Sequence, residues 1–280
     1  MKFDTLKQKC EYYRSLTDYK LMPNSYVLAM VDGHCFSKMI KNRFDKPFDD
    51  MFIEMMNETA KYLCENVQGV KFAYTQSDEI SLLITDFDTP KTDSYFSFRL
   101  CKMQSLIASL ATAKFNQMYW KMADDYKGFA LKKFKDVKLP PLCTFDCKVW
   151  TVPNANDAYA WFLYRQTDCI KNSKAQTAQA YIPHDKLKNI NADEMIAKCK
   201  DVTGVDWYGF PNDRKYGRII KKVGTGPMEK DLPNGQHITF SRNVWTPVPA
   251  NDLKEDDTLV RELIPEQFRP GVVVTEEISE

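Results

Sequence analysis

Hydrophobic positions along this chain switch between two periods, and each switch marks an element. Leu6, Cys10, Tyr13, Leu16 and Tyr19 recur every three or four residues and predict a helix over residues 4–20, stopped by Pro23-Asn24. The unbroken run Tyr26-Val27-Leu28-Ala29-Met30-Val31 ends in Asp32-Gly33, which predicts a buried central strand over residues 25–32. A loop over residues 33–47 leads to Asp49, a helix N-cap, and to the stripe Phe52, Met56, Ala60, Leu63 and Val67, a helix over residues 49–67 closed by Gly69. Val70, Phe72 and Tyr74, then Ile80, Leu82 and Ile84, alternate as strands do, and the polar residues 75–79 between them make the pair a hairpin. A turn-rich loop over residues 86–93 precedes a long helix over residues 94–122, with Phe96, Leu100, Met103, Ile107 and Leu110 on its core face. Residues 124–141 are lysine-rich and end in Pro140-Pro141, and residues 143–152 form a fourth strand.

The order β-α-β-β-α-β is the split unit of ferredoxin-like folds, in which the first and third strands are antiparallel neighbours. The exit of the first strand then lies beside the start of the third, which sets Asp32 next to Asp78 and Glu79. The fold class expected is α+β, a ferredoxin-like β-α-β-β-α-β core with additional helices and a small C-terminal extension. The chain would divide into a domain over residues 1–183, built on this core, and a C-terminal region over residues 184–280. After the fourth strand the pattern gives a helix over 157–181, a shorter one near 192–200, an aromatic loop at 207–211, a hairpin or loop over 223–235, a strand within 238–245 and an acidic, frayed end.

Composition narrows the class. The 280 residues are 44% hydrophobic and 28% charged with a formal net charge of +1, so any basic surface must be local. No apolar run reaches the roughly 20 residues that span a bilayer, and the N-terminus lacks a signal-peptide core. The eight cysteines show no CxxC pair and the three histidines fall at no ligand spacing, so the expectation is a cytoplasmic protein with reduced thiols and no zinc.

The chemistry gathers at the strand exit. Converging carboxylates of Asp32, Asp78 and Glu79 repel one another unless cations neutralise them, and their hard oxygens suit Mg²⁺. Two such ions clamp the attacking and leaving oxygens of a phosphoryl displacement. Gly33 lets its carbonyl and the following amides approach a ligand. Either pair alone also reads as a capped turn or a polar hairpin tip; the topology that joins them favours metal. Arg99 and Lys102, three apart on a helix, can point at one phosphate, or simply form a solvated face. Lys46 follows the metal loop within reach of a triphosphate, and His34 stands where it would touch a phosphate or a base, or serve only as a turn residue. Arg165, Asp168, Cys169 and Asn172 share a helix face with Trp161, an arrangement that also fits a structural Arg–Asp pair. Two basic clusters suit a polyanion: Lys127, Lys132, Lys133, Lys135 and Lys138, and the aromatic-flanked Arg214, Lys215, Arg218, Lys221 and Lys222.

These residues resemble the histidine-tRNA guanylyltransferase family and its guanylyltransferase-like reverse polymerases. The resemblance rests on Asp32-Gly33-His34-Cys35-Phe36-Ser37, Lys46-Pro47-Phe48-Asp49, Tyr74-Thr75-Gln76-Ser77-Asp78-Glu79, the Arg99/Lys102 pair, Phe145-Asp146-Cys147-Lys148 and Arg165-Gln166-Thr167-Asp168-Cys169 with Asn172. It implies a palm that adds nucleotides to the 5′ end of tRNA: a 5′-phosphate is adenylylated by ATP, and the 3′-hydroxyl of GTP or another nucleotide attacks it, with two Mg²⁺ per active site. By this likeness Asp32 and Asp78 hold both metals, the Gly33 carbonyl completes one site and Glu79 supports them. His34, Cys35, Phe36 and Ser37 cradle a triphosphate through their backbone, Lys46, Ser77, Arg99 and Lys102 contact phosphates, and Asp49 contacts the base. Lys148, Arg165 and Asn172, with Arg214, Lys215 and Arg218, remain as phosphate or tRNA contacts; the resemblance makes residues 1–183 the catalytic, polymerase-palm-like domain and residues 184–280 a C-terminal region for tRNA binding and oligomer contacts, and it implies a homotetramer. Lys171-Asn172-Ser173 and Tyr208-Gly209-Phe210-Pro211 look like the bacterial and phage branch, which brings in template-directed repair of truncated tRNA ends. Two other classes share parts of the pattern: a palm-type nucleotide cyclase acting on free nucleotides, and a non-catalytic ferredoxin-like RNA-binding protein, which would display aromatics on its strands where this chain has carboxylates at strand ends.

Overall fold

The computed structural model describes residues 2–36, 43–89, 91–125, 142–231 and 236–267. In chain order they include α1 (Leu6–Ser15), β1 (Tyr26–His34), α2 (Asp50–Asn66), β2 (Val70–Gln76), β3 (Glu79–Ile84), α3 (Leu100–Asp125), β4 (Thr144–Val152), α4 (Ala155–Tyr181), α5 (Ala192–Thr203), α6 (Asn212–Lys215), β5 (Arg218–Gly224), β6 (Met228–Asp231), β7 (His237–Phe240), β8 (Asn243–Pro249) and α7 (Thr258–Leu263). A six-stranded sheet runs in the order β4-β1-β3-β2-β5-β8, and every neighbouring pair is antiparallel. Its first four strands are the expected split unit.

Side-chain alternation gives the sheet two apolar faces. Val27, Ala29 and Val31 of β1 point toward the core shared with α2 and α3. Tyr26 and Leu28 point the other way, into the core covered by α4. Asp49 caps α2 by accepting from the Phe52 amide, and Phe52, Met56, Ala60, Leu63 and Val67 are all buried as their spacing requires. Gly69 turns the chain with φ +83°, where a Cβ would stand 2.4 Å from the Thr85 carbonyl. The Lys127–Lys138 cluster and the acidic C-terminus lie outside the described residues.

Four expectations are corrected. The first helix stops at Ser15 and buries nothing: Leu6 is 77% exposed and Tyr13 56%, so its apolar stripe meets no core among the described residues. The long helix starts at Leu100, not at residue 94, and Phe96 is exposed. Here the Leu21 amide donates to the Phe98 carbonyl and the Leu100 amide to Tyr19, a bridge that holds the chain off the helix, with Phe96, Ser97 and Phe98 at positive φ. Residues 218–224, expected within a helix-and-loop stretch, form β5 inside the main sheet, because Arg218, Ile219 and Ile220 are buried between β2 and β8. The single strand expected over 238–245 is two, β7 and β8. The C-terminal region thus continues the sheet, and a small cluster of Ala178, Ile182, Leu187 and Cys199 packs α5 against α4.

Candidate active site

Asp32 stands near the exit of β1 with Glu79 of β3 as its cross-strand partner on one side and Asp146 of β4 on the other. Strand alternation puts these three on the α4 face, in line with Leu28 and Ser81. The hairpin tip is fastened to the same exit: the Gly33 amide donates to the Asp78 carbonyl at 3.1 Å. Ser77, at φ +46°, donates its hydroxyl to Asp78 Oδ1 at 2.8 Å and so orients that carboxylate. Asp146, named in the sequence only within the Phe145-Asp146-Cys147-Lys148 motif, is brought beside Asp32 by the β1–β4 register, which the sequence pattern does not contain.

Burial raises the pKa of Asp32, Asp78 and Glu79. Asp32 is raised further by the Asp78 and Asp146 charges, and Arg165 and Lys148 oppose that rise. The three carboxylates are not equivalent. Arg165 of α4 grips Glu79 with two bonds, Nε to Oε1 at 2.7 Å and Nη2 to Oε2 at 2.5 Å, and donates through Nη1 to Asp168 at 2.8 Å. Arg165 is therefore an ion-pair partner inside the fold, as the structural alternative had it. Among the described residues, neither Asp32 nor Asp78 is held in an ion pair of this kind, although the Arg165 and Lys148 charges act on Asp32. Among the described residues no three His, Cys, Asp or Glu side chains converge as a metal cluster. A cation held here would rest on Asp32, Asp78 and the Gly33 carbonyl, with its remaining oxygens from water and phosphate; that oxygen-only set of two carboxylates fits Mg²⁺.

A cavity of about 470 Å³ opens beside Asp78. Phe44, Phe48, Phe52 and Ile53 line one wall, and Lys46, Asp49, Ser77, Asn172, Arg214 and Arg218 from the candidate list line it as well. Asp49 already spends both oxygens on backbone amides, Oδ1 on Phe52 and Oδ2 on Asp45, so it shapes the 45–49 loop as well as facing the cavity.

Other candidates sit elsewhere. Arg99 pairs with Asp18 at 2.7 Å and Lys102 lies over the Phe96 ring at 4.6 Å. Both are at the end of the sheet where β1 begins, because the bridge to Lys20 holds them there. Asp32 pairs with Glu79 and Val27 with Ile84, so this end lies about 17 Å from the carboxylates at roughly 3.4 Å per residue. The five-residue basic strip is not one surface: Lys215 is buried with its ammonium near Trp207 and Tyr216, Arg218 is buried on Asn57, and Arg214 pairs with Asp213 and Asp50. Lys148 is exposed on the Asp146 strand. His34 and Cys35 are exposed, whereas Phe36 is buried with its ring against Gly33; Ser37 lies outside the described residues.

The family model for tRNAHis guanylyltransferase (Thg1) matches residues 7–153, over half of the chain, and contains Asp32, Asp78, Glu79 and Asp146. The chain belongs to the Thg1 family. It is 25% identical over 274 residues to the uncharacterized protein R259 of Acanthamoeba polyphaga mimivirus, covering 95% of this chain and 91% of that one. The tRNA(His) guanylyltransferase of Debaryomyces hansenii is 30% identical over 61% of this chain and 60% of its own length. Among solved structures, a bacterial Thg1-like protein in complex with ATP matches with 29% identity and a TM-score of 0.77, covering 93% of this chain and 99% of that one. A bacterial Thg1-like protein in complex with GTP matches with 30% identity and a TM-score of 0.72 over the same shares. No helix among the described residues of this Thg1-family chain is long and apolar enough to cross a membrane.

Proposed function

We propose that this chain is a Mg²⁺-dependent 3′–5′ nucleotidyltransferase of the cytoplasm that adds GTP or other nucleotides to the 5′ end of tRNA through an adenylylated 5′-phosphate. One observation carries the reading: the Gly33–Asp78 hydrogen bond brings Asp32 and Asp78 to one strand exit, neither carboxylate has an ion-pair partner among the described residues, and Asp78 lines the cavity. Membership of the Thg1 family supports the reaction class, and the relatives' complexes with ATP and GTP support the two nucleotides.

Asp32, Asp78 and the Gly33 carbonyl would hold the metal. When bound, Mg²⁺ supplies charge neutralisation on phosphate and acidifies the attacking 3′-hydroxyl. The chain's own part is placement. Ser77 fixes the Asp78 rotamer, the Phe44–Phe48–Phe52 wall offers an apolar surface to a base, and Lys46 and Asn172 stand on the rim where phosphates enter. Arg99 and Lys102 cannot serve this centre from their own chain. A homotetramer, as the family resemblance implies, is the assembly expected, and light scattering of the pure protein tests it.

The deciding assay offers labelled 5′-monophosphorylated tRNAs, full-length or lacking one 5′ nucleotide, with ATP and each NTP in turn. Extension by one or more nucleotides at the 5′ end is the expected result. A cyclic product from GTP without tRNA would identify a cyclase instead, and no product with either RNA would refute the reading.

A further inference from the structure

Glu79 is the carboxylate closest in sequence and in register to the pair proposed to hold metal, yet it is turned away from it. Both its oxygens are occupied by the Arg165 guanidinium, and both side chains are well buried, Arg165 at 13% exposure and Glu79 at 8%. Arg165 is anchored independently of Glu79. Its third bond goes to Asp168 one helical turn on, and its guanidinium lies 5.1 Å from the Tyr164 ring and 5.7 Å from Trp161. Trp161 in turn donates its indole N–H to the Ser81 hydroxyl at 3.2 Å, two residues along β3 from Glu79. The guanidinium is thus fixed to the sheet by groups outside the site.

The cross-strand pairing places Glu79 Cβ about 5 Å from that of Asp32, near enough for a freed Glu79 carboxylate to share a cation with Asp32. A third free carboxylate changes a divalent site: affinity rises with ligand charge, while the geometry shifts away from the one the substrate phosphates complete. We propose that Arg165 is a positioning residue that withholds Glu79 from the Asp32–Asp78 pair and so sets the number of carboxylates facing the cation at two. This rests on the metal reading of the proposed function. It assigns Arg165 a role distinct from touching phosphate or RNA.

The test measures Mn²⁺ binding to the full chain alone, by the electron paramagnetic resonance signal of free Mn²⁺, beside the rate of nucleotide addition. Asp78→Ala calibrates the site: if wild type binds no Mn²⁺ that Asp78→Ala loses, the metal reading fails and this inference with it. If that control holds, Arg165→Gln frees Glu79 and is expected to bind Mn²⁺ about tenfold more tightly, from the added ligand charge. Its addition rate at saturating Mg²⁺ is expected to fall about a hundredfold, the scale of a misplaced reacting group. Adding Glu79→Gln to Arg165→Gln removes the freed carboxylate and returns Mn²⁺ affinity to near wild type. Arg165→Lys keeps the charge but cannot hold both oxygens, so it shows the same tightening at smaller size and serves if Arg165→Gln does not fold by circular dichroism. Unchanged affinity with a raised KM for tRNA would make Arg165 an RNA contact and overturn the proposal. Weakened affinity in the folded variants would make it a structural brace and overturn it equally.

Discussion

Replacing Gly33 by alanine adds one methyl group at a position with no room for it. A Cβ there would stand 2.5 Å from Phe36 Cδ2, 2.6 Å from Cγ and 2.8 Å from Cε2. Phe36 has nowhere to go. It is 1% exposed, and its ring centroid lies 4.9 Å from that of Phe145, 5.1 Å from Phe115 and 6.3 Å from Phe52. The contacted atoms belong to the ring's base and near edge, so rotation about the side chain does not relieve the clash; the strand exit or the aromatic cluster must move. Overpacking of this kind costs about 1–3 kcal/mol. For a chain of this size that lowers the melting temperature by about 2–4 °C per kcal/mol. The same movement displaces the backbone between Asp32 and the loop proposed to hold a triphosphate, so nucleotide addition falls with stability. Phe36→Ala separates the two causes. By itself it costs about 3–5 kcal/mol through the cavity it leaves. In that background Gly33→Ala meets open space and adds almost nothing, so the double-mutant cycle shows a coupling of about 1–3 kcal/mol. Denaturant unfolding of the four proteins measures it. Additive costs, or a Gly33→Ala protein as stable as wild type, would refute the steric account.

Asp78→Ala removes a carboxylate that burial already disfavours, so addition is abolished while the melting temperature shifts by no more than about 2 °C; retained activity would sink the metal assignment. Asp86 is buried with Oδ1 unpartnered among the described residues, and burial raises its pKa above the ordinary 3.8. Between 3.8 and that raised value the folded state binds more protons than the unfolded, so stability falls as pH rises through the window, and Asp86→Asn flattens this part of the melting-temperature profile. An unchanged slope in that variant would contradict the shift. Native alkylation followed by peptide mapping is expected to label the exposed Cys10, Cys35 and Cys101 quickly, and to spare the buried Cys64, Cys169, Cys199 and Cys143, the last with its thiol pushed up to about 11 by burial.

Local periodicity carries the core because its helix α2 turns one apolar stripe to the sheet and its central strands are continuous apolar runs buried on both faces. It fails where the partner is missing or internal. The stripe of α1 has helical spacing, but none of its residues is buried among the described residues, and spacing alone cannot show that. β5 begins with Arg218, which reads as surface; in the fold its guanidinium is buried against the Asn57 side chain, 161 positions away in sequence. Phe96 continues the period of α3 backwards, and only the bridge from residues 19–21 breaks it. Each failure is a non-local contact overriding a local pattern that fits equally well without it.

The site divides along the same line. Joining Asp32 to Asp78 needed only strand order, which the chain displays openly. Placing Arg99 and Lys102 needed chain direction, which strand order also contains. β3 starts at the carboxylates and runs away from them, so a helix entered soon after it begins at the far end, whatever its spacing of basic residues. What strand order does not contain is charge pairing. Glu79 and Asp78 are adjacent and equally acidic in the sequence, and the difference between them is made by one arginine 86 positions away. The buried Glu79 is already neutralised by its own guanidinium, whereas the half-buried Asp32 and Asp78, with no ion pair among the described residues, stay costly in the ionised form until a cation arrives. The functional distinction at this strand exit therefore lies in which acids the fold leaves uncompensated, and only the three-dimensional pairing of Arg165 separates them.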